Sequence, residues 1–491
     1  MLCIVIVGPS FAEARTQICQ SAVSADLLEF RLDLFTGEAL SQIEALRSLQ
    51  SSSLVLYTWR SKSQGGEGPN GHKRLQLIED YLKHPPDYLD IEIDDPLEWV
   101  LSIRHQFPQV KIIASAHYFT SGFEVVETAL KRLQCIPAEI YKIAIRAASI
   151  EDTLRLMLLA KNTLLPLVTI SMGENGAISR ILSPIYGGVV TYAAMNEATI
   201  AAPGQLTAET LLQTYRFKTL NAQTQVYGLI GNPASKSISH HTHNAVFGFL
   251  NENAVYVKVD LKSDELKIAL PLMQELGWKG LSVTMPLKES IMECLDVCDE
   301  SVSQIGVSNT IILQSNRIVG FNTDGKGAIN AIKSKLELQN KTVVILGAGG
   351  AARALGSSIL QAGAHVIFLN RHPEKAFQLA QQYHCEGGDF TKLQTYAYDL
   401  LINCTSSPMP VPADWIYPQA VVMDINTNPK KTLFLEAALK KGCQIIYGLE
   451  MFAAQAALQF EIWNKNSWSI EHLQSCILEL GEAYLKKTAP E

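Results

Sequence analysis

The sequence predicts an α/β protein built from two different halves. Over about residues 1–216, eight apolar strand segments alternate with helical stretches, a pattern typical of a parallel (β/α)8 barrel. Further along, ILGAGGAARAL places a glycine-rich turn between a strand and a helix, which predicts an open α/β nucleotide-binding fold. Between them, the barrel's last predicted helix, AETLLQTYR, gives way to FKTLNAQTQ. This segment is polar and has no hydrophobic period, so we expect a linker near residue 220.

Composition narrows the class of protein. With 491 residues there is room for about three lobes, and 47% hydrophobic with 18% charged residues is ordinary for a soluble globular protein. No apolar run approaches the roughly 20 residues of a membrane span, and MLCIVIVGPS resembles a first strand more than a signal peptide. A net charge of −7 without a basic block argues against a nucleic-acid partner. Nine scattered cysteines, without a metal-binding spacing, predict a cytoplasmic protein with no metal.

The barrel strands direct attention to one end of the first half. In such barrels the active site lies at the carboxyl ends of the strands, where Arg31, Arg60, His117 and Arg180 fall. The eight predicted strands are CIVIV, LLEFRLDL, LVLYTWR, YLDIEI, VKIIASAH, YKIAI, LPLVTISM and VVTYAA.

Lys142 differs from these residues because it lies inside the apolar strand YKIAI. Burial of an ammonium group is costly, and the amine becomes a nucleophile as its pKa falls. A strand lysine beside a histidine and several arginines at a barrel mouth indicates a Schiff-base nucleophile. The alternative is a buried lysine that is simply paired with a carboxylate.

EFRLDLF, TWRSKSQGGE, SAHYF, YKIAI, SMGENGAISR and APGQ occur in this order and together resemble type I 3-dehydroquinate dehydratase over about residues 1–216. The resemblance implies that Lys142 forms an imine with the substrate ketone and that His117 is the acid–base catalyst. It also implies that Arg180 binds the substrate carboxylate. The hydroxyl-binding residues implied by it are Glu29, Arg31, Arg60 and Gln205.

Two positions depart from that family. Gln64 stands where a glutamate usually orients and charges the catalytic histidine, and Ala201 replaces a serine before APGQ. Without the carboxylate, the histidine loses a partner that stabilises imidazolium. We therefore expect a slower dehydratase, or one that uses another group such as Glu67.

In the second half, polar residues follow short strands. VYGLIG is a predicted strand, and a helix can begin in NPASKSISHHTHN after Ser239. GLSVTMPLKE, GVSNTI and GFNTDGKGA then bring Lys288, Asn309 and Asp324 to loop positions. Loops after parallel strands are where open α/β folds bind ligands. Taken alone, Lys288 and Asp324 could equally be a loop salt bridge.

A strand, a turn, a helix and a second strand follow in KTVVILGAGGAARALGSSILQAGAHVIFLNR. The glycine-rich turn matches the Rossmann fingerprint, in which missing side chains let a pyrophosphate approach the helix N-terminus. The second strand ends at Asn370 and Arg371, with no acidic residue for a ribose hydroxyl, which favours NADP over NAD unless Arg371 is merely an exposed strand end. The predicted cofactor-binding residues are Gly347, Gly349, Gly350, Ala352, Asn370 and Arg371.

Across residues 226–491 the ordered motifs GNPASKSIS, VTMPLK, SNT, NTDG and GLEMFAAQAA are similar to those of shikimate dehydrogenase. The resemblance implies that Lys288 and Asp324 act together on the substrate carbonyl. It implies a substrate-binding set of Ser237, Ser239, Thr284, Asn309 and Gln455. The departures are His240 for proline, Ser282 for asparagine and Thr427 for tyrosine, which bear on substrate contacts.

The whole chain thus resembles fused bifunctional 3-dehydroquinate dehydratase and shikimate dehydrogenase, because the product of the first reaction is the ketone reduced by the second. The implied ligands are 3-dehydroquinate, 3-dehydroshikimate, shikimate and NADP. Expected boundaries are 1–220 for the barrel, 221–328 completed by 449–491 for the substrate lobe, and 329–448 for the nucleotide lobe. Two alternatives stay open: a reductase with a catalytically weak or regulatory barrel, and an aldolase-like barrel using a Schiff-base lysine.

Overall fold

A computed structural model describes residues 1–21, 24–49, 52–120, 122–234, 237–464 and 468–488. The chain divides into two compact units. The first comprises Met1–Gln225 with Asn253–Val255 and Lys267–Gly277, and the second comprises Val226–Glu252, Tyr256–Leu266 and Trp278–Glu491.

The first unit contains the predicted barrel, which is confirmed. Its eight strands pair in parallel in the order β7-β6-β5-β4-β3-β2-β1-β8. A parallel bridge between Leu167 and Gly188 brings the two ends of the sheet together. The strands are β1 (Leu2–Ile6), β2 (Leu27–Arg31), β3 (Leu54–Thr58), β4 (Tyr88–Glu92), β5 (Lys111–Tyr118), β6 (Ile140–Arg146), β7 (Leu167–Met172) and β8 (Thr191–Ala194).

Helices follow the barrel strands along the chain, as the alternating pattern predicts. They are α1 (Phe11–Ser21), α2 (Gly37–Ser41), α3 (Ile43–Ser48), α4 (His72–Tyr81), α5 (Leu97–Gln106), α6 (Val126–Leu133), α7 (Ile150–Asn162) and α8 (Ala177–Ile181). The last predicted helix, AETLLQTYR, contains a π-helical segment at Thr210–Thr214.

The barrel interior changes from apolar to polar along the strands. Because strand side chains alternate between faces, residues two apart point the same way. On β6, Ile140 belongs to the apolar interior cluster, and Lys142 follows it on the same face. On β4, Tyr88 is in that cluster and Asp90 comes two residues later. Asp90 and Lys142 thus lie closer to the carboxyl ends of their strands than the apolar layer that contains Tyr88 and Ile140.

After residue 225 the chain forms a six-stranded mixed sheet in the order β10-β9-β11-β13-β14-β12. β11 pairs in parallel with β9 and antiparallel with β13. The strands are β9 (Gln225–Gly231), β10 (Ala254–Asp260), β11 (Gly280–Val283), β12 (Val297–Cys298), β13 (Thr310–Gln314) and β14 (Arg317–Phe321). The helices are α9 (Ser239–Phe249), α10 (Leu266–Leu276), α11 (Leu287–Ser290), α12 (Glu300–Ile305) and α13 (Asp324–Lys333).

A second six-stranded sheet, with the order β17-β16-β15-β18-β19-β20, is parallel throughout. Apolar clusters cover both of its faces, which confirms the predicted Rossmann arrangement. Its strands are β15 (Thr342–Leu346), β16 (His365–Leu369), β17 (Glu386–Gly388), β18 (Leu400–Asn403), β19 (Val421–Asp424) and β20 (Gln444–Ile446). The helices are α14 (Gly350–Gln361), α15 (Pro373–Tyr383), α16 (Leu433–Lys440), α17 (Gly448–Asn464) and α18 (Ile470–Thr488).

Within the described part of the chain, no helix combines the length and apolarity needed to cross a membrane. In the same residues, no group of three or more histidine, cysteine, aspartate or glutamate side chains is arranged to hold a metal ion.

Candidate active sites

A cavity of about 120 Å³ lies within the first unit. Its wall contains side chains from the carboxyl halves of the barrel strands and from the loops that follow them. The structure brings together every residue predicted for this site: Glu29, Arg31, Arg60, His117, Lys142, Arg180 and Gln205.

Lys142 lies on β6 and is 4% exposed. Its Nζ is 3.8 Å from Asp90 Oδ2, 3.9 Å from Glu29 Oε1 and 3.9 Å from the centre of the Tyr192 ring. Burial lowers the pKa of Lys142, and the nearby Glu29 and Asp90 carboxylates only partly oppose that effect. The lysine therefore has acidic neighbours, as the alternative of a paired lysine predicts, but its amine is still easier to deprotonate than an exposed one.

Arg60 is held by an acidic network that the sequence analysis did not identify. Its guanidinium donates to Asp90 at 2.7 Å, to Ser115 at 2.8 Å and to Glu92 at 3.3 Å. These carboxylates raise the pKa of Arg60 despite its burial. The same Asp90 approaches Lys142, so Arg60 and Lys142 share one carboxylate. This arrangement fixes the guanidinium in place at the cavity wall.

Arg180 stands in contrast to Arg31. Arg31 makes a bidentate pair with Asp33, at 2.9 and 2.7 Å. Arg180 is 3% exposed, its Nε has no hydrogen-bond partner, and no carboxylate among the described residues pairs with it. Burial lowers its pKa to about 10. A buried guanidinium without an anion, facing a cavity, is ready to bind a carboxylate from a ligand.

His117 lies near the end of β5, and its ring Nδ1 is buried without a partner among the described residues. Burial, and then the positive charges of Arg60, Lys142 and Arg31, hold the pKa of His117 well below its usual value. Gln64 does reach this residue, but its Oε1 accepts the backbone N–H of His117 at 2.8 Å. The ring is therefore a neutral imidazole whose environment contains no compensating carboxylate contribution.

The loop after β8 supplies Gln205 and Ala201. Gln205 Oε1 accepts the Ala201 backbone N–H at 2.8 Å, so this glutamine is fixed by the loop itself. Glu67, the substitute considered for Gln64, is exposed, and its backbone N–H donates to Asp33. Ala201 does line the cavity.

A second cavity, of about 570 Å³, lies in the second unit. Lys288 on α11 donates a hydrogen bond to Asp324, the first residue of α13. Asn309 Nδ2 donates to the other carboxylate oxygen of Asp324 at 2.8 Å and lies 3.2 Å from Gln455 Oε1. Asp324 thus accepts hydrogen bonds from Lys288 and from Asn309, and the bond from Asn309 orients the carboxylate toward Lys288.

Two hydroxyl groups line the same cavity where the chain enters α9. Ser237 donates to Ser239 at 2.9 Å, and the backbone N–H of Ser239 donates back to Ser237 at 3.2 Å. The structure brings together in this cavity every predicted substrate-binding and catalytic residue of the second half: Ser237, Ser239, Thr284, Lys288, Asn309, Asp324 and Gln455. Ser282 and Thr427 also line it, whereas His240 is buried in α9 with its ring centre 3.8 Å from that of His241.

A larger cleft of about 810 Å³ adjoins the glycine-rich turn. Gly347 has φ +119°, a conformation that side-chain-bearing residues rarely adopt, and the turn leads into the twelve-residue helix α14. A Cβ at Gly350 would lie 3.2 Å from Cβ of Lys288, so this glycine allows the helix start to approach the lysine. Ala352 is buried in the core of this lobe. Gly347 and Gly349 line the cleft itself.

The wall of this cleft also carries basic side chains from the segment that follows β16. Asn370 and Arg371 follow β16 and line it, and Arg371 is exposed. The Asn370 side chain donates to the His372 carbonyl at 3.1 Å, which shapes the turn. Lys375, on α15, lines the cleft beside them and was not identified from the sequence. The NRHPEK segment does carry a signal for it, since residue 375 lies in the first turn of the helix that begins at Pro373, just after Arg371.

Other contributors were also missed. Asp90 and Glu92 are two apart on the apolar strand YLDIEI, so a period of two would have indicated that both face the barrel interior. Tyr192, whose ring contacts Lys142, lies on β8, in the predicted strand VVTYAA. Tyr256 and Gln459 line the second cavity, and neither belongs to a motif that suggests a polar role.

Three family models match the chain. The model described as type I 3-dehydroquinase covers residues 2–222. The model of the shikimate dehydrogenase substrate binding domain covers residues 229–311, and that of shikimate / quinate 5-dehydrogenase covers residues 330–435.

Two curated relatives match over most of this chain. "Shikimate biosynthesis protein AroDE" of Chlamydia pneumoniae is 35% identical over 465 residues, covering 94% of this chain and 95% of the relative. "Bifunctional 3-dehydroquinate dehydratase/shikimate dehydrogenase, chloroplastic" of Arabidopsis thaliana is 33% identical over 474 residues, covering 90% and 78%. Among solved structures, shikimate 5-dehydrogenase from Thermus thermophilus in complex with shikimate has 29% identity and a TM-score of 0.50, covering 54% of this chain and 100% of that one.

Proposed function

The chain belongs to the family of bifunctional 3-dehydroquinate dehydratase/shikimate dehydrogenase proteins, and from this we propose that two residue pairs carry its two reactions. The chain dehydrates 3-dehydroquinate to 3-dehydroshikimate and reduces that ketone to shikimate with NADPH. In the proposal, His117 and Lys142 carry out the dehydration, and Lys288 and Asp324 assist the reduction. The observation that carries it is that each unit holds a separate cavity containing a lysine in contact or near-contact with carboxylates.

The dehydration begins at Lys142. Its neutral amine adds to the ketone carbon and water leaves, forming a protonated imine. His117 removes the proton next to that carbon, giving an enamine, and then returns a proton to the departing hydroxyl group. Hydrolysis of the imine releases the product and restores the amine. Support comes from the lowered pKa values of Lys142, which favours the nucleophile, and of His117, which favours the base.

Substrate orientation in this cavity is proposed to depend mainly on Arg180. The unpaired, buried guanidinium suits the substrate carboxylate, whereas Arg31 and Arg60 are already paired with acidic side chains. Together with Glu29 and Gln205, Arg31 and Arg60 offer polar atoms for the ring hydroxyls.

In the second cavity, Ser237 and Ser239 are proposed to bind the carboxylate, with Thr284 and Gln455 contributing to the same pocket. NADPH, when bound, supplies the hydride that converts the ketone to an alcohol. Lys288 stabilises the negative charge that develops on the carbonyl oxygen and donates a proton to it. Asp324 orients Lys288, and Asn309 orients Asp324.

NADP is the cofactor of the dehydrogenase half. We propose that Gly347, Gly349, Gly350 and Ala352 admit its pyrophosphate to the start of α14, supported by the conformation of Gly347. Arg371, with Lys375 beside it in the cleft and Asn370 shaping the turn, suits a 2′-phosphate, because both side chains are cationic.

We further propose that three segments of the chain have separate roles. The barrel at 1–220 performs the dehydration, the lobe at 221–328 with 449–491 binds the ketone, and the lobe at 329–448 binds the nucleotide. The proposed partners are small molecules and not nucleic acid, in keeping with a net charge of −7. All nine cysteines are free thiols, which supports a cytoplasmic location.

Borohydride trapping tests the central assignment. Reduction in the presence of 3-dehydroquinate should leave a stable adduct on the peptide containing Lys142, located by mass spectrometry. Lys142→Ala should abolish the adduct and the appearance of enone absorbance while leaving NADP-dependent shikimate oxidation intact. Lys111→Ala, which removes an exposed lysine from the adjacent strand, is the matched control. An adduct on a peptide that lacks Lys142 would refute the assignment.

A further inference from the structure

Asn309 is held from two sides. Its Nδ2 donates to Asp324 at 2.8 Å and to Thr323 at 2.9 Å. Its Oδ1 accepts from the Thr310 hydroxyl at 2.8 Å and from the Thr323 backbone N–H at 2.9 Å. The amide that orients Asp324 is therefore itself oriented, and the Thr310 hydroxyl is the side-chain donor that fixes its oxygen.

Thr310 is in turn held by Gln459, which lies one helical turn after Gln455 on α17. Gln459 Nε2 donates to the Thr310 hydroxyl at 2.9 Å and to the Asn309 carbonyl at 3.2 Å. Its Oε1 accepts the Ser282 hydroxyl at 2.9 Å. Both polar ends of Gln459 are thus engaged, and its side chain is 2% exposed.

The chain of hydrogen bonds continues to a tyrosine. Ser282 accepts the Tyr256 hydroxyl at 2.8 Å, and Tyr256 is fully buried. Ser239, one of the two serines where the chain enters α9, lies beside the Tyr256 hydroxyl. Tyr256, Ser282 and Gln459 all line the cavity, so the chain of bonds runs along its wall from the serines to the Lys288–Asp324 pair.

The direction of every bond follows from Asp324. An ionised carboxylate only accepts hydrogen bonds, so Asn309 must present its NH₂ group to Asp324 and its oxygen to Thr310. The Thr310 hydroxyl donates its single proton to the Asn309 oxygen, so toward Gln459 it can act only as an acceptor. Gln459 must therefore present its NH₂ group to Thr310. Gln459 then presents its oxygen to Ser282, and Ser282 accepts from Tyr256. All the donors point along the chain toward the carboxylate.

We propose that Tyr256, Ser282 and Gln459 form a positioning relay that holds Asn309, and through it the Lys288–Asp324 pair, in the geometry required for reduction. The relay rests on the proposed function, because it acts only through Lys288 and Asp324. None of the three touches the reacting carbonyl in this role. Gln459 is the central member, since it bridges the strand β11 and the strand β13.

The relay predicts a particular kinetic effect. Gln459→Leu keeps the volume but leaves Thr310 and Ser282 without their amide partner, so the Thr310 hydroxyl is no longer fixed toward Asn309 and the Asn309 amide is held less firmly. Binding groups such as Ser237 are not altered, so the loss falls on the chemical step. We expect kcat for shikimate oxidation to fall about tenfold, with KM values for shikimate and NADP+ changing less than about twofold.

A double-mutant cycle in the full chain provides the decisive test. Thr310→Val breaks the same relay at the next bond, so it should reduce kcat by a similar factor, and Gln459→Leu with Thr310→Val should be no slower than the slower single variant. Glu461→Gln, on the exposed face of the same helix, should leave kcat unchanged. The thermal transition of the second unit in each variant, identified by its shift on addition of NADP+, reports whether that unit is folded.

Each outcome bears on the relay. An unchanged kcat for Gln459→Leu, or multiplicative effects of the two substitutions, would overturn it, as would equal changes in kcat and KM. Asp324→Asn separates the relay from the reaction assignment. If that variant retains full activity, the assignment of Asp324 fails, whereas a loss in Asp324→Asn without a loss in Gln459→Leu overturns the relay alone.

Discussion

Replacement of Arg180 by glutamine should make the protein more stable and its dehydratase far weaker. Arg180 is buried at the cavity without an anionic partner among the described residues, and burial lowers its pKa from the usual guanidinium value to about 10. The folded state therefore disfavours the charged form of Arg180. One pKa unit corresponds to about 1.4 kcal/mol, so at neutral pH the charged guanidinium lowers the free energy of unfolding by about 3 kcal/mol. Replacement of Arg180 by the neutral glutamine should therefore raise the free energy of unfolding by a large part of this amount.

Arg74 is the matched control, because it is also buried but forms ion pairs with Asp95 and Glu92. It donates to Asp95 at 2.6 Å and to the Trp59 carbonyl. Arg74→Gln leaves buried carboxylate groups uncompensated and should lower the free energy of unfolding by about 3–5 kcal/mol. The two substitutions make the same chemical change at similar burial, so opposite signs would isolate the effect of the missing anion.

Calorimetry of the full chain is the assay, with NADP+ added to identify the transition that belongs to the nucleotide-binding unit. The other transition should rise in temperature for Arg180→Gln and fall for Arg74→Gln. In parallel, kcat/KM for 3-dehydroquinate should fall by about 10- to 150-fold in Arg180→Gln, from the loss of a charge-assisted bond of about 1.5–3 kcal/mol. A lower transition temperature for Arg180→Gln, or an unchanged kcat/KM, would refute the reasoning.

Three other predictions follow from the site. Gln64→Glu adds a carboxylate near a histidine whose environment is otherwise positive, so the pKa of His117 should rise, and the acidic limb of the dehydratase pH–rate profile should move to higher pH with a higher maximal rate. An unchanged profile would show that a charge at residue 64 does not act on the ring. Arg371→Ala should weaken NADPH binding by about 1.5–3 kcal/mol and NADH binding much less; equal losses would make Arg371 structural. Fragments 1–220 and 221–491 should each fold and catalyse one step, and an insoluble or inactive fragment would show that the halves depend on each other.

The fold was predictable because its signals are local. Eight apolar strands at regular intervals need no knowledge of distant contacts, and the glycine-rich turn before α14 is specified by the backbone conformation of Gly347. Lys142 was identifiable for the same reason, since a lysine within an apolar strand is conspicuous in any sequence.

The supporting residues were harder to predict because their roles depend on pairs far apart in the chain. Arg60 meets Asp90 from a different strand, and Gln459 meets Ser282 across 177 positions. A glutamine on an apolar helix has no local signature that separates it from a surface residue. Gln64 illustrates a further limit: its position beside His117 was anticipated, but the contact is with the backbone N–H, which no side-chain pattern specifies.

Met285 and Ser406 line both the substrate cavity and the nucleotide cleft. Met285 is 58% exposed, so its side chain is free to change rotamer as either space fills. A ligand that favours one rotamer changes the shape of the neighbouring space, and the resulting coupling free energy is the same in both directions. Shikimate must therefore alter the affinity for NADP+ by the same factor as NADP+ alters the affinity for shikimate, so this common wall couples the two binding events without favouring either order.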